Sequence, residues 1–448
     1  MNKSNLLPPS YGMRQALNDE VHSRPTEALW QQERVFHIAM LVDDDVTEAV
    51  ATKLQELIDY SGSNPASKEF LQAPQVNLSL CMGENALRLR FERHNEFITF
   101  TFFERADHAM IFDMPVTRRL PPSWLAGLPG RMLVAIEMFV QKVNRKFGPA
   151  EIAGHFDGNT LIGGDVANGH GQIYSDLRIA DRGATRILIC NLDMGSRQLG
   201  RVVQRAIEME TYRMMALLSF PVARRTLPQL ARYEKKLVEL ASEMAATSGA
   251  EKLANVTAED LETDRRLLSH LTDLSSKIEE LSAQNRMRFT AAEAYTDLVE
   301  KRIRELKEIP ITGMQTFGEF MDRRLGPAMK TCAWTARRQD ELAIRISRVT
   351  QLLRTRVEIE RESQNQYLLS SMNKRAKMQL RLQETVEGLS IIAVSYYGSG
   401  LVGYVAKGLE VFGVPLNYEV VVMAAVPVIA LLSFLSLKVL KKRMGLHD

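Results

Sequence analysis

Cysteine is nearly absent from this chain: Cys81, Cys190 and Cys332 are the only three in 448 residues, far apart and never in a Cys-x-x-Cys pair. So sparse and odd-numbered a set excludes a disulfide framework and a structural zinc site, and fits reduced thiols in a reducing compartment. A surplus of charge is missing too, with 57 basic against 54 acidic residues. No bulk field attracts nucleic acid, and none is expected as a partner. The start, "MNKSNLLPPSYGMRQAL", lacks a continuous apolar stretch of signal-peptide length, so the bulk of the chain is expected in the cytoplasm. Gly-x-Ser-x-Gly and His-Glu-x-x-His are absent, so no enzymatic activity, catalytic residue or cofactor is expected.

Apolar sequence concentrates near the C-terminus. Gly388 to Ala406 carries no charge over 19 residues, about 28 Å as a helix and roughly one hydrocarbon core. Val420 to Leu437 is equally free of charge. The first run contains "SYYGSGLVGYVA", in which Gly398, Gly400 and Gly403 have the Gly-x-Gly-x-x-Gly spacing of a dinucleotide fingerprint. That fingerprint needs a preceding strand and a polar turn facing phosphate, whereas here both flanks are apolar. Small residues in a lipid-embedded helix instead admit a neighbouring backbone. Two forms of such a seam stay open. One is contact between the two runs; the other is a symmetric seam around a pore, with Tyr396, Tyr397 and Ser399 supplying polar groups.

Lysine and arginine counts set the orientation. Lys374, Arg375, Lys377 and Arg381 precede the first run, and Lys438, Lys441, Lys442 and Arg443 follow the second. The loop between them, "KGLEVFGVPLNYE", has only Lys407. A transmembrane hairpin over 388–440, with spans at 388–406 and 420–437, is therefore expected, with both termini and the basic tail 441–448 in the cytoplasm. Pro427 is tolerable within the second span.

Residues 1–30 read as an irregular arm, where His22, Arg24, Asp19 and Glu20 are able to bind an anion or a metal, although such a lone histidine among charges is more often an ordinary surface contact. Residues 31–220 read as an α/β domain with a largely antiparallel or mixed sheet. "VFHIAMLV" is a buried strand, "VTEAVATKLQELIDY" an amphipathic helix, and "ALRLRFERHNEFITFTFFE" a hairpin turning near His94 and Asn95, with Leu87, Leu89 and Phe91 on one face. "RMLVAIEMFVQKVNRKFG" is expected as a helix, with Leu133, Ile136, Val140 and Val143 on one stripe and Gly148 as its stop. From Gly148 to Gly200 lie 10 of the 26 glycines, along with "GQIYSDLRI" and "TRILICNL", so short strands joined by tight turns are expected. Within "GHFDGNTLIGGDVANGHG", the metal-capable His155, Asp157, Asp165 and His170 fit no strong zinc spacing. An ion or anion site there competes with plain turn chemistry.

Residues 221–387 read as a helical coiled-coil or stalk region. "RVVQRAIEMETYRMMALL" and "LPQLARYEKKLVELASEMA" are amphipathic helices separated by Pro221 and Pro228. A helix from Ala258 to Ile309 follows, opened by "TAED" and stopped by Pro310; its Leu267, Leu271, Leu274, Ile278 and Leu281 form a heptad seam. From Pro327, suited to a first turn, no proline interrupts the chain until Pro415. About 80 residues of helix, on the order of 120 Å, would run into the bilayer.

The segments "NDEVHSRP" and "QNQYLLSSMNKRAKMQLRLQETVEGLSIIAVSYYGSGL" resemble a bacterial family of uncharacterised membrane-anchored proteins. The order of parts is similar to CorA-type magnesium transporters: a cytoplasmic domain at about 30–220, a stalk helix from Pro327 through Ala406, a short outer loop, a second span and the tail "KVLKKRMG". That resemblance implies a pentamer with Ser395 to Gly403 lining a pore. The Gly-Met-Asn signature of those transporters is absent, which removes the reason to name magnesium.

The expected class is thus an α+β cytoplasmic domain, a long helical stalk and a two-helix transmembrane hairpin at a bacterial inner membrane. Two functions follow from it. One is a homo-oligomer conducting or transporting a small ion. The other is a membrane-tethered scaffold or sensor whose hairpin is only an anchor, with the seam at Leu267–Leu281 recruiting a protein partner that the sequence does not name.

Overall fold

The computed structural model describes residues 11–15, 18, 26–43, 45–64, 66–82, 85–107, 110–246, 258–411, 413 and 417–443. Asp19, Glu20, His22 and Arg24 of the arm, the cap Thr257, and the tail from residue 444 on lie outside the described residues. The fold is mixed α+β, an eight-stranded sheet followed by long helices of which the last is apolar. The chain divides into two units, residues 1–243 with 269–349, and residues 244–268 with 350–448.

In the first unit, strand β1 (Glu33–Leu41) is followed by helices α1 (Thr47–Ser61) and α2 (Lys68–Leu71). Strands β2 (Gln75–Met82), β3 (Asn85–Arg93), β4 (Phe97–Arg105) and β5 (Arg131–Lys142) come next. Then come α3 (Pro149–Ile152), β6 (Ile162–Val166), β7 (Gly171–Ile179) and β8 (Thr185–Asn191). The sheet order is β2-β3-β4-β1-β5-β8-β7-β6, with β5–β8 its one parallel pair among the described strands. Alternation decides the faces. Along β4, Ile98, Phe100 and Phe102 pack with Leu54, Leu57 and Ile58 of α1. Phe97 and Phe103 point the other way, into the cluster holding Val203 and Ala206 of helix α4 (Ser196–Leu217). Both faces of the sheet are therefore covered.

The stretch expected as a helix over "RMLVAIEMFVQKVNRKFG" is instead β5, antiparallel to β1 and parallel to β8. Val134, Ile136, Met138 and Val140 join the α4-side core while Phe139 joins the opposite one. A strand buried on both faces is apolar at nearly every position, and such a run satisfies helical spacing by default.

Helix α5 (Ser219–Ala246) runs straight through Pro228, which was expected to separate two helices. Pro221 falls in its first turn, where no intrahelical N–H bond is lost. Burial of Ala223, Thr226, Leu230, Leu237 and Leu240 outweighs the break at Pro228. Helix α6 (Ala258–Leu306) buries all five residues of the leucine–isoleucine seam, Leu267 and Ile278 completely. Helix α7 (Phe317–Val411) starts ten residues before Pro327, which therefore lies inside it. Its first turn is held by a reciprocal cap: Glu319 N donates to Thr316 Oγ1 (3.1 Å) and Thr316 N to Glu319 Oε2 (3.1 Å). Glu308 also accepts from Phe317 N (2.9 Å) and Gly318 N (3.1 Å).

The segment between α6 and α7 covers the β6 edge. Asp165 N donates to Ile309 O (3.0 Å) and Gly163 N to Gln315 O (2.8 Å). Gly164 admits this approach: a Cβ there would meet Ile309 O at 2.8 Å.

In the second unit, Arg356 pairs with the fully buried Asp264 (3.3 Å) and with Glu360 (3.1 Å), beside Leu267 and Leu353, both 0% exposed. Helix α8 (Tyr418–Arg443) has a mean hydropathy of 2.6 over its most apolar window, and the best window of α7 reaches 1.4. Both are long and apolar enough to cross a membrane.

Trp124 anchors the α1 side of the sheet: its ring meets Phe100 and Phe102 edge-on, and its Nε1–H donates to Lys53 O at 2.9 Å. Trp124→Phe keeps most of the packing and removes one hydrogen bond to a carbonyl already paired within α1, so about 0.5–1.5 kcal/mol of stability is lost. Trp124→Ala loses about 3–5 kcal/mol. Urea unfolding followed by circular dichroism should rank the two variants in that order.

Candidate functional site

The alternation that buries phenylalanine on the α1 side brings polar residues together on the α4 side of three neighbouring strands. Register sets Arg90 opposite Thr101 and Thr101 opposite His37; Glu92 opposite Thr99 forms the next rung. On a bare sheet these groups would be solvated. Here α4 covers them, leaving His37 3%, Arg90 5%, Thr99 3% and Thr101 4% exposed.

The sheet and α4 do not close completely over this patch. A cavity of about 250 Å³ remains, bounded by the polar rungs, by Phe97 and Phe103, and by Val203, Ile207 and Thr211 of α4. Glu27, Glu208 and Arg302 also line it. It exceeds the roughly 150 Å³ that accommodates benzene in an apolar core, and combines apolar walls with a few convergent polar groups as small-molecule sites do. Residues 26–30 close it on one side by lying directly on α4: Leu29 N donates to Ser196 O (3.2 Å), and a Cβ on Gly200 would meet Glu27 O at 1.8 Å. Any side chain at position 200 would push this segment away.

His37 is held on both ring nitrogens, with Nδ1 2.8 Å from Thr101 Oγ1 and Nε2 3.2 Å from Thr211 Oγ1. Burial pushes its pKa down to about 3, and the nearby His94 and Arg90 add to the shift. The ring is therefore neutral, so one threonine donates to it and the other accepts. Arg90 Nη2 donates to Glu92 Oε1 at 2.9 Å. Two buried groups on the cavity wall have no partner among the described residues: Arg90 Nε and Thr99 Oγ1. Each such orphan costs about 1–3 kcal/mol unless something else satisfies it. Nearby, Arg88 donates to Glu27 and to the fully buried Glu33. Burial raises the Glu33 carboxyl to about 7 despite this arginine. Arg302 pairs with Glu208 and, at 3.0 Å, with Glu305.

The residues singled out from sequence lie elsewhere. Asp157 pairs with Arg186, Asp165 with Lys146, and His170 Nδ1 lies 2.7 Å from Asp193 Oδ1. His155 joins none of these pairs, and among the described residues no cluster of three or more metal-capable side chains exists. In α7, Gly398, Ser399 and Gly403 form one stripe, and a Cβ on Gly398 would meet Ile429 Cγ2 of α8 at 3.1 Å. A Cβ on Gly403 would meet Tyr418 at 3.0 Å and Val422 at 3.2 Å, whereas Gly400 has nothing within 4 Å. Tyr396 and Tyr397 are 74% and 72% exposed. Sequence reading missed the cavity residues, though signals existed: a histidine inside "VFHIAMLV", and two threonines among the phenylalanines of "FITFTFF".

The neutral His37 makes stability pH-dependent. Between pH 6.5 and about 3 the unfolded chain binds a proton that the fold refuses, so stability contributed above pH 6.5 is lost on acidification. The loss approaches about 1.4 kcal/mol per pH unit. His37→Gln keeps hydrogen-bonding capacity without this titration. The unfolding free-energy gap between wild type and variant should narrow as pH falls from 7 to 4; Glu33, with its opposite slope between 4.5 and about 7, is common to both and cancels. An unchanged gap would contradict the neutral assignment.

No curated protein matches the chain. One family profile matches residues 9–444, nearly the entire length, and its description is "Protein of unknown function (DUF3422)". The chain belongs to this family.

Proposed function

We propose that the chain is a membrane-tethered cytoplasmic sensor, in which the first unit binds a small molecule and the apolar parts of α7 and α8 only anchor it at a bacterial inner membrane. The observation that carries this reading is the cavity with its unmatched Arg90 Nε and Thr99 Oγ1. An ion pathway through the spans gives no reason for a buried polar pocket in the sheet domain; a ligand does.

The α7–α8 contacts support the anchor half. Gly398 and Gly403 are used in packing α7 on α8 within one chain. Basic flanks on both sides of the pair support a cytoplasmic location for the domain. Signal transfer has a covalent route. Phe317, Met321 and Leu325 of α7 share one core cluster with Val203 and Ile207 of the cavity wall. A ligand that favours one packing of α4 shifts the packing of α7, whose helix continues to Val411.

A second reading keeps one supporting observation. Gly400, Tyr396 and Tyr397 lie away from α8, so a neighbouring copy's helix fits against them, as a homo-oligomer conducting a small ion requires. Liposomes separate the two. With the full chain reconstituted, divalent and monovalent cation flux should equal that of empty vesicles, and a chain ending before Gly388 should leave the membrane pellet for the soluble fraction. Cation flux abolished by Gly400→Leu would reject the anchor reading in favour of the pore.

A further inference from the structure

We infer that the ligand of the cavity is a free α-amino acid with an apolar side chain; this rests on the sensor reading and adds the ligand's chemical class. Three features of the wall converge on it. The first is hydrogen bonding. Arg90 Nε–H and the Thr99 hydroxyl are buried donors without acceptors among the described residues, on adjacent rungs of β3 and β4. A carboxylate supplies the acceptor, and an acceptor bearing charge is the strongest match for a guanidinium.

The second is charge. The wall's three carboxylates, Glu27, Glu92 and Glu208, are each already paired with a guanidinium, of Arg88, Arg90 and Arg302 respectively. His37 adds no positive charge, because its ring is neutral. A simple anion would leave this balanced wall with a net negative charge, and burying unbalanced charge is costly. A neutral apolar molecule or a plain amine would leave the Arg90 and Thr99 donors orphaned. A zwitterion meets both demands, its carboxylate at Arg90 and Thr99 and its ammonium toward the carboxylates.

The third is shape. Phe97, Phe103, Val203 and Ile207 form an apolar wall beside the polar rungs. A cavity of about 250 Å³ holds roughly ten non-hydrogen atoms, judged against the benzene-sized cavity above. Leucine and phenylalanine bracket that size. No proton or bond transfer is involved; the site binds and releases.

The test is calorimetric titration of the full chain in lipid nanodiscs with L-leucine and L-phenylalanine, and with two analogues that each lack one charged end: 4-methylpentanoate and L-leucinamide. The amino acids should bind, and each analogue should bind about tenfold more weakly or worse. Comparing ligands on the unaltered chain needs no variant to fold. Two variants then locate the site: Thr99→Val should weaken leucine binding, and Val203→Trp should abolish it with the circular dichroism spectrum retained. If 4-methylpentanoate or leucinamide binds as tightly as leucine, and Val203→Trp removes that binding, the amino-acid class is wrong while the ligand pocket stands. If leucine and phenylalanine do not bind, the inference is overturned. If either binds equally well to Val203→Trp, the cavity is not the site and the sensor reading falls with it.

Discussion

Holding the Arg90 guanidinium away from water is the constraint around which the first unit is organised. A buried cation costs several kcal/mol unless it is paired and hydrogen-bonded. Glu92, two residues along the same strand, supplies a carboxylate at 2.9 Å. The cross-strand rungs add Thr101 and His37, and α4 contributes Thr211 to the far side of the imidazole. The arrangement tolerates no register error. A slip of one residue in β3 would turn Arg90 and Glu92 toward Leu54, Leu57 and Trp124, and bring Leu89 and Phe91 to the polar side. The polar patch therefore fixes register where hydrophobic pattern alone, on a sheet apolar on both faces, specifies it weakly.

The same patch leaves work unfinished. A purely structural network would match every donor, since a half-satisfied buried network is worse than an apolar one. Arg90 and Thr99 line the space where the sheet and α4 stand apart, and the close approach permitted by Gly200 lets residues 26–30 close one side of it. Unmatched buried donors of this kind call for an explanation, and a bound acceptor supplies one. A ligand bound there would lie against α4, the helix whose core contacts include the first turns of α7.

Much of the fold was legible in the sequence because local pattern and tertiary role agreed. β1, β7 and β8 are bounded by turn residues, the β3–β4 hairpin alternates, and the seam from Leu267 to Leu281 is buried as its spacing implies. Two failures come from tertiary burial overriding local signal: β5 is apolar on both faces and so imitates a helix, and packing carries α5 through Pro228. The reciprocal cap "TFGE" was there to mark the true start of α7. The cavity was less accessible still. Its hydrogen-bonded pairs join residues as far apart as His37 and Thr211, 174 positions, and nothing in a linear pattern says which helix covers which strand face. Conversely, the Gly-x-Gly-x-x-Gly run drew attention by spacing, while its role follows from the helix it sits in.

The central claim, that this cavity is a ligand site coupled to α7, is tested most directly by hydrogen–deuterium exchange on the full chain in nanodiscs, with and without L-leucine. Slower exchange in peptides from β3, β4 and α4, accompanied by a change at the start of α7 beyond Phe317, is the predicted result. Identical exchange throughout those segments at saturating leucine would contradict it.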